Sequence, residues 1–152
     1  SLITAIFSDF HLFTQAICDE SLASETKIAS WLEILELSQK TQVINGQITT
    51  TKLSTGQRKR LAMLIALLEE RDILVLDEFA ADQDPIFRRF FYTKLLPLLK
   101  KQGKTILAIS HDEKYFDMAD RILLAQDGVI QELKAQNGES MKDLAKNLVE
   151  RF

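Results

Sequence analysis

The chain has no G-x-x-x-x-G-K-[ST] segment anywhere in its 152 residues, so the loop that cradles nucleotide phosphates in many enzymes is missing from it. Cysteine is nearly absent as well. The single Cys18 excludes an internal disulfide and fits a reducing compartment. No apolar run approaches the length of a membrane span. Leu2 to Phe7 is too short, and lacks the basic flank, to be a signal peptide. There is no excess of positive charge: the net charge of -3 does not point to nucleic acid as a partner. Internal repeats and low-complexity tracts are also missing. What remains is an ordinary globular composition, long enough for one domain with a real core. The chain opens on Ser1 rather than Met, which fits a piece of a longer polypeptide.

Hydrophobic patterning predicts alternating strands and helices. Leu2 to Phe7, Ile73 to Leu76 and Thr105 to Ile109 are short apolar runs that read as buried strands. The run into Asp77 suggests a parallel sheet covered on both faces. Ser8 to Cys18 reads as a loop and short helix. Ser24 is a candidate N-cap for a helix carrying Ile28, Trp31, Leu32 and Leu35, with Trp31 in a packing role. Asn45-Gly46 marks a loop or small hairpin. Ser54 starts a helix through Leu61, Leu64, Ile65 and Leu68, on which Arg58-Lys59-Arg60 reads as a solvated face. Asp84-Pro85 starts another helix, which Pro97 should kink and Gly103 should end. Asp112 to Met118 reads as a short helix. Asp127-Gly128 joins a hairpin of Ile122 to Ala125 and Val129 to Leu133. In the tail, Met141, Leu144, Leu148 and Phe152 share one helical face. The fold class is α/β.

Three constellations carry chemistry. Ser54-Thr55-Gly56-Gln57 at a helix start leaves backbone N–H groups without intrahelical partners, at the positive end of the helix dipole. Gly56 lets a phosphate approach the backbone, and the Ser54 hydroxyl can donate to a phosphate oxygen. A plain Ser/Thr cap explains the same residues. Asp77-Glu78 ends a buried strand, where open α/β sheets bind ligands. There Asp77 would hold Mg²⁺ through water, and Glu78 could polarise an attacking water, help worth about 10²–10⁴ in rate. A surface turn with acidic residues is the alternative. Ser110-His111 ends the next strand. His111 could reach a γ-phosphate and the attacking water, or Ser110 could simply cap the next helix. Asp84 has the same ambiguity.

Order and spacing bring these together. The arrangement resembles the ATP-binding subunit of ABC transporters over about residues 1–132. Residues 53–57 look like its signature motif, residues 73–78 like Walker B with the catalytic glutamate, residues 81–84 like the D-loop, and His111 like the switch histidine. Ser1 to Phe13 resembles the strand and Q-loop. Leu53 to Arg60, Phe79 to Pro85 and Arg88 to Tyr92 look like one branch, the bacterial exporters of cyclic peptides and siderophores. The sequence departs from the wider family at Ser8, which stands at the Q-loop glutamine position with Asp9 offset beside it. Thr55 replaces the first signature glycine, and the D-loop reads Ala81-Asp82-Gln83-Asp84.

The resemblance implies a P-loop NTPase fold of the ABC ATPase type, here lacking its phosphate-loop strand, with a helical signature subdomain. It implies a strand and Q-loop region over 1–18, the helical subdomain over 19–70 and the catalytic-core part over 71–133; it does not cover the tail over 134–152, which reads as a C-terminal amphipathic helix from its own spacing. It implies ATP and Mg²⁺ as ligands of the intact protein, with none held tightly by this piece. Two such domains would close head to tail as a homodimer around two ATP molecules. Ser54, Thr55, Gly56 and Gln57 would then act in trans, and Glu78, His111 and Asp77 in cis. Phe10, Leu12 and Phe13 would receive the transmembrane domain. The parent would work at the cytoplasmic side of the bacterial inner membrane, while the piece itself would be soluble and catalytically inactive. Removal of the phosphate-loop strand would leave an incomplete sheet with the hairpin displaced, or self-association.

Two other classes fit parts of the pattern. A non-hydrolysing docking module would need only the signature helix and the Phe10–Phe13 loop. It leaves Asp77, Glu78 and His111 without purpose. An ABC-type ATPase of chromosome maintenance shares the signature, but the stretch from Ser24 to Lys52 has none of the sustained heptads of a long coiled coil.

Overall fold

A computed structural model describes residues 2–8, 24–44, 47–49, 52–134 and 139–149. The readings on Cys18, on Phe10, Leu12 and Phe13, on Asn45-Gly46 and on Phe152 lie outside the described residues. The chain divides into two compact units, Ser1–Ser110 and His111–Phe152.

The first unit is built on three parallel strands, β1 (Ile3–Ile6), β4 (Ile73–Asp77) and β5 (Thr105–Ile109), in the order β1-β4-β5. Its helices are α1 (Glu25–Ile34), α2 (Thr55–Leu68), α3 (Pro85–Phe90) and α4 (Leu96–Lys101), and a short hairpin, β2 (Val43–Ile44) with β3 (Gln47–Ile48), lies between α1 and α2. Strands alternating with helices make the fold α/β, as the hydrophobic periods indicated.

Register explains which side of the sheet is covered. Thr4 and Ile6 of β1 pair with Leu74 and Leu76 of β4, which pair in turn with Ile106 and Ala108 of β5. On this face Ile6, Leu74 and Leu76 are buried, with α2 against β1 and α4 against β5. The opposite face carries Ile3, Ala5, Ile73, Val75, Leu107 and Ile109, and there Leu107 is 46% and Ile109 49% exposed. The reading of three buried strands is therefore corrected. β4 is covered on one face, β5 is an edge strand with exposed apolar side chains, and in β1 only Ile6 is buried. An apolar run records that both faces can be covered; it does not supply the cover.

Helix boundaries follow local chemistry. The Ser24 side chain accepts from the Lys27 N–H at the start of α1, and Trp31 is buried in the core with Ile28 and Leu32. Asp84 Oδ1 accepts from the Ile86 and Phe87 N–H groups at the start of α3. Pro97 does not end the helix. The chain instead widens into a π-helical turn over Phe91–Leu95 and continues through Pro97 in α4. A widened turn absorbs the hydrogen bond that proline cannot make. Gly103, at φ +85°, ends α4 as expected, with Lys104 N–H reaching back to the Leu99 carbonyl. Phe87, Phe91, Tyr92, Leu95 and Leu99 bring this long helical stretch into the core, where the Phe91 ring lies 4.8 Å from that of Phe79.

The second unit holds a 3₁₀ turn (Glu113–Met118), the antiparallel hairpin β6 (Ile122–Gln126) and β7 (Val129–Leu133), and α5 (Met141–Val149). Asp127 (φ +50°) and Gly128 (φ +78°) form the tight hairpin turn their sequence predicts. Its small core gathers Phe116, Ala119, Leu124, Leu133 and Met141 around Ile122. The hairpin is a sheet of its own, separate from the hydrogen-bonding ladder of β1-β4-β5. No helix among the described residues is long and apolar enough to cross a membrane.

Candidate functional site

Ser54 caps α2 through a full capping box. Its hydroxyl accepts from the Gln57 N–H at 3.2 Å, and its own N–H donates to Gln57 Oε1 at 3.0 Å. This engages the third helical N–H and leaves the first-turn N–H groups of Thr55 and Gly56, which have no intrahelical acceptor, with the Ser54 O–H as donors for an anion. Thr55 is exposed, and its hydroxyl accepts from the Arg58 guanidinium at 3.3 Å, which brings a positive charge to the same helix end.

Gly56 is buried, and its lack of a side chain is needed on the protein side of the helix end. A Cβ there would stand 2.6 Å from the Asp82 carbonyl oxygen and 3.2 Å from Gln83 Oε1. The glycine therefore lets α2 press against the loop that follows β4.

That contact is part of a polar cluster the sequence reading missed. Lys59 and Arg60 do not form a solvated face: they are 1% and 7% exposed, and only Arg58 of the three is exposed. The Lys59 ammonium donates to the Glu78 carbonyl at 2.9 Å and pairs with Asp82 at 2.7 Å. Arg60 donates to Gln83 Oε1 at 2.8 Å, to Asp84 Oδ2 at 2.7 Å and to Glu36 at 3.1 Å, with its guanidinium 3.6 Å over the Phe87 ring. Buried Gln83 returns a hydrogen bond to the Gly56 carbonyl. Arg88 donates to the carbonyls of Ala80, Ala81 and Gln83. Among the described residues no buried side-chain polar atom lacks a partner. The correction has a simple cause. α2 is buried on most of its circumference, so its basic residues meet acceptors rather than water. A signal was present: Arg60, Leu64 and Leu67 share one helical stripe.

Asp77 and Glu78 sit at the carboxyl end of the middle strand. The Ser8 N–H faces Asp77 Oδ2 at 3.4 Å, so the Q-loop position lies beside the carboxylate proposed for a metal. No cluster of three or more His, Cys, Asp or Glu occurs among the described residues. One hard carboxylate with no further protein cage suits Mg²⁺, which keeps several waters and takes substrate oxygens. Glu78 adopts φ +49°, a left-handed backbone uncommon for a residue with a side chain. Its N–H donates to the Ile109 carbonyl at 3.1 Å, and its own carbonyl also accepts from Ala81 at 3.2 Å. Asp84 divides its oxygens between the α3 N-terminus and Arg60. The Phe87 N–H, with help from Arg60, holds its carboxyl below the usual aspartate range.

The ABC transporter family matches residues 1–81. The chain belongs to the ABC transporter family.

Relatives agree. The ATP-binding protein SyrD of Pseudomonas syringae pv. syringae is 52% identical over 132 residues, 85% of this chain and 23% of that protein. The glutathione/L-cysteine transport system ATP-binding/permease protein CydD of Bacillus subtilis is 32% identical over 82% of this chain and 21% of its own length. The methionine import ATP-binding protein MetN of Streptococcus agalactiae is 31% identical over 83% of this chain and 38% of its own length. The chain thus spans between about a fifth and two fifths of these relatives.

Within this ABC chain, Ser54, Thr55, Gly56 and Gln57 form one helix end, packed on the loop that leads from Glu78 to Asp84. The Ser110 hydroxyl shares a 2.6 Å hydrogen bond with Tyr92. His111 belongs to the second unit, where it is exposed and its carbonyl accepts from Glu113.

Proposed function

We propose that this chain is the carboxyl-terminal part of the ATP-binding domain of an ABC exporter, of the branch that moves cyclic peptides or siderophores out of bacteria. One observation carries the reading. Asp77 and Glu78 stand at the carboxyl end of the middle parallel strand, and Glu78 is held there in a strained left-handed backbone by groups from β5 and α2. The ATP-binding proteins among its relatives support the nucleotide, and the motif resemblance supports export.

In this reading the fold is a P-loop NTPase whose phosphate-loop strand belongs to the rest of the polypeptide. Residues 1–18 form the strand and Q-loop region, 19–70 the signature subdomain, 71–133 part of the catalytic core and 134–152 a C-terminal helix. Glu78 takes a proton from the attacking water, and His111 orients that water. Ser54, Thr55, Gly56 and Gln57 bind the phosphates of the nucleotide on a second copy, through the Ser54 hydroxyl and the first-turn N–H groups. Asp77 would hold Mg²⁺ through water, and the bound ion would neutralise charge on the phosphates; Ser8 stands at the Q-loop position without the glutamine that would reach the metal. Asp84 keeps the D-loop in place. A transmembrane domain docks near Phe10, Leu12 and Phe13, at the cytoplasmic side of the membrane. Residues 1–152 alone neither bind ATP tightly nor hydrolyse it.

Steady-state ATPase measurements on the full-length polypeptide carrying this segment test the proposal. Glu78→Gln lowers kcat by about 10²–10⁴ while leaving ATP binding intact. Hydrolysis by purified residues 1–152 that disappears in Glu78→Gln would overturn the claim that the piece is inactive. Undiminished turnover in full-length Glu78→Gln would overturn the role of Glu78.

A further inference from the structure

The geometry points to Lys59 as a positioning residue for Glu78, an inference that rests on the proposed role of Glu78 in hydrolysis. Lys59 is among the largest fully buried side chains of the described residues, 1% exposed, at the second turn of α2. Burying an ammonium is unfavourable unless acceptors meet it, and an apolar residue would fill this space without that penalty. Two acceptors converge on it. One is the Asp82 carboxylate at 2.7 Å, and the other is the main-chain carbonyl of Glu78 at 2.9 Å.

The second contact matters for direction. At φ +49° the Glu78 backbone is in a conformation that a residue with a Cβ holds only when its surroundings enforce it. Its N–H is fixed on β5 through the Ile109 carbonyl at 3.1 Å. Its carbonyl is fixed from the other side by the charged Lys59 donor, a stronger hydrogen bond than a neutral one. With both flanking peptide groups anchored, the Cα–Cβ bond of Glu78 has one direction. Lys59 thus sets the direction in which the carboxylate leaves the chain without touching the reacting atoms. It also ties Glu78 to the helix whose first residues are Thr55 and Gly56, so a shift of α2 is transmitted to Glu78.

The test uses the full-length polypeptide carrying this segment, with Mg-ATP as substrate. Lys59→Met keeps the length of the stem and removes the charge. It lowers kcat by about 10²-fold, the scale of a small misplacement of a catalytic group, with KM for ATP changed less than about threefold. Lys59→Arg, which restores a cationic donor, recovers part of the loss. Lys59→Met combined with Glu78→Gln is no slower than Glu78→Gln alone, because a positioning residue has nothing left to position. A merely structural lysine would instead lower the residual rate further and move KM. Should Lys59→Met not fold, Asp82→Asn carries the test, since Asp82 is 43% exposed and its loss frees one side of the ammonium. Reduced kcat at unchanged KM supports the inference there, and wild-type kcat overturns it. An inactive Glu78→Gln beside a wild-type-like, folded Lys59→Met sinks this inference alone. An active Glu78→Gln sinks the role of Glu78 and this inference with it.

Discussion

A methyl group on Gly56 would stand 2.6 Å from the carbonyl oxygen of Asp82, closer than any side-chain carbon can sit against backbone. Gly56→Ala therefore sets two effects against each other. Alanine favours a helix over glycine by about 1 kcal/mol. Forcing a methyl into close-packed backbone costs about 1–3 kcal/mol. The second effect wins, because the nearest atom is the Asp82 backbone oxygen and not the end of a flexible side chain. Denaturant titration should show a net loss of up to about 2 kcal/mol. A more stable variant would mean that α2 and the 79–84 loop are not packed as described.

Arg60 satisfies three acceptors and lies over Phe87. Arg60→Ala leaves the buried Gln83 oxygen without its donor and opens a gap over the ring. The expected loss is about 2–4 kcal/mol, mostly from the unsatisfied group. Arg60→Lys should recover less than half, since one ammonium cannot span Glu36, Gln83 and Asp84 as a planar fork does. Equal stability of the lysine variant and the wild type in urea titration would contradict this.

Acid should loosen the Asp84 junction. The folded carboxyl titrates below its unfolded value of about 3.9, so its contribution is complete above that pH. It is lost as pH falls further, through the lower folded value. Asp84→Asn keeps an acceptable N-cap and gives up the charge on Arg60. Urea midpoints at pH 3, 5 and 7 should fall less steeply toward acid in this variant. Some slope remains, because Glu70, Glu132 and Asp143 are also held below their usual ranges by Lys27, Arg121 and Ser140 respectively.

Leu107 and Ile109 lie side by side with Val75 and Asp77 on the exposed face, at the edge of the sheet. An apolar edge strand invites pairing with another chain. Purified residues 1–152 should bind a dye specific for apolar surface and self-associate with rising concentration. Leu107→Lys with Ile109→Glu should reduce both in light scattering and fluorescence. A monomeric chain that leaves the dye dark would remove the basis for this prediction.

Much of the fold was legible because its signals are local. Ser24, Asp84-Pro85, Gly103 and Asp127-Gly128 each act through a hydrogen bond or a backbone angle within a few residues. Pro97 left the π-helical turn unread, because a proline records only a missing donor. Where the chain widens depends on the Phe91, Tyr92 and Leu95 packing around it. The strands misled in the same way: Leu107 and Ile109 are apolar enough for a core, yet apolarity does not say what lies against them. Lys59 and Arg60 failed for the opposite reason. Charge is normally a solvent signal, and only the meeting of α2 with the 79–84 loop turns it into a buried one.

Sequence alone determined that this is an α/β chain of alternating strands and helices, because hydrophobic period and capping chemistry are properties of neighbouring residues. It also determined the family, because Ser54–Gln57, Asp77-Glu78 and His111 keep their order and spacing. The tertiary structure alone decided what surrounds them. Gly56 meets a carbonyl, Glu78 is turned left-handed between β5 and α2, and two basic side chains are buried where a solvated face was expected. Those outcomes come from contacts between residues 19 to 31 positions apart in the chain, such as Lys59 with Glu78 and Glu78 with Ile109. No local pattern encodes such contacts, since they exist only once the elements have packed.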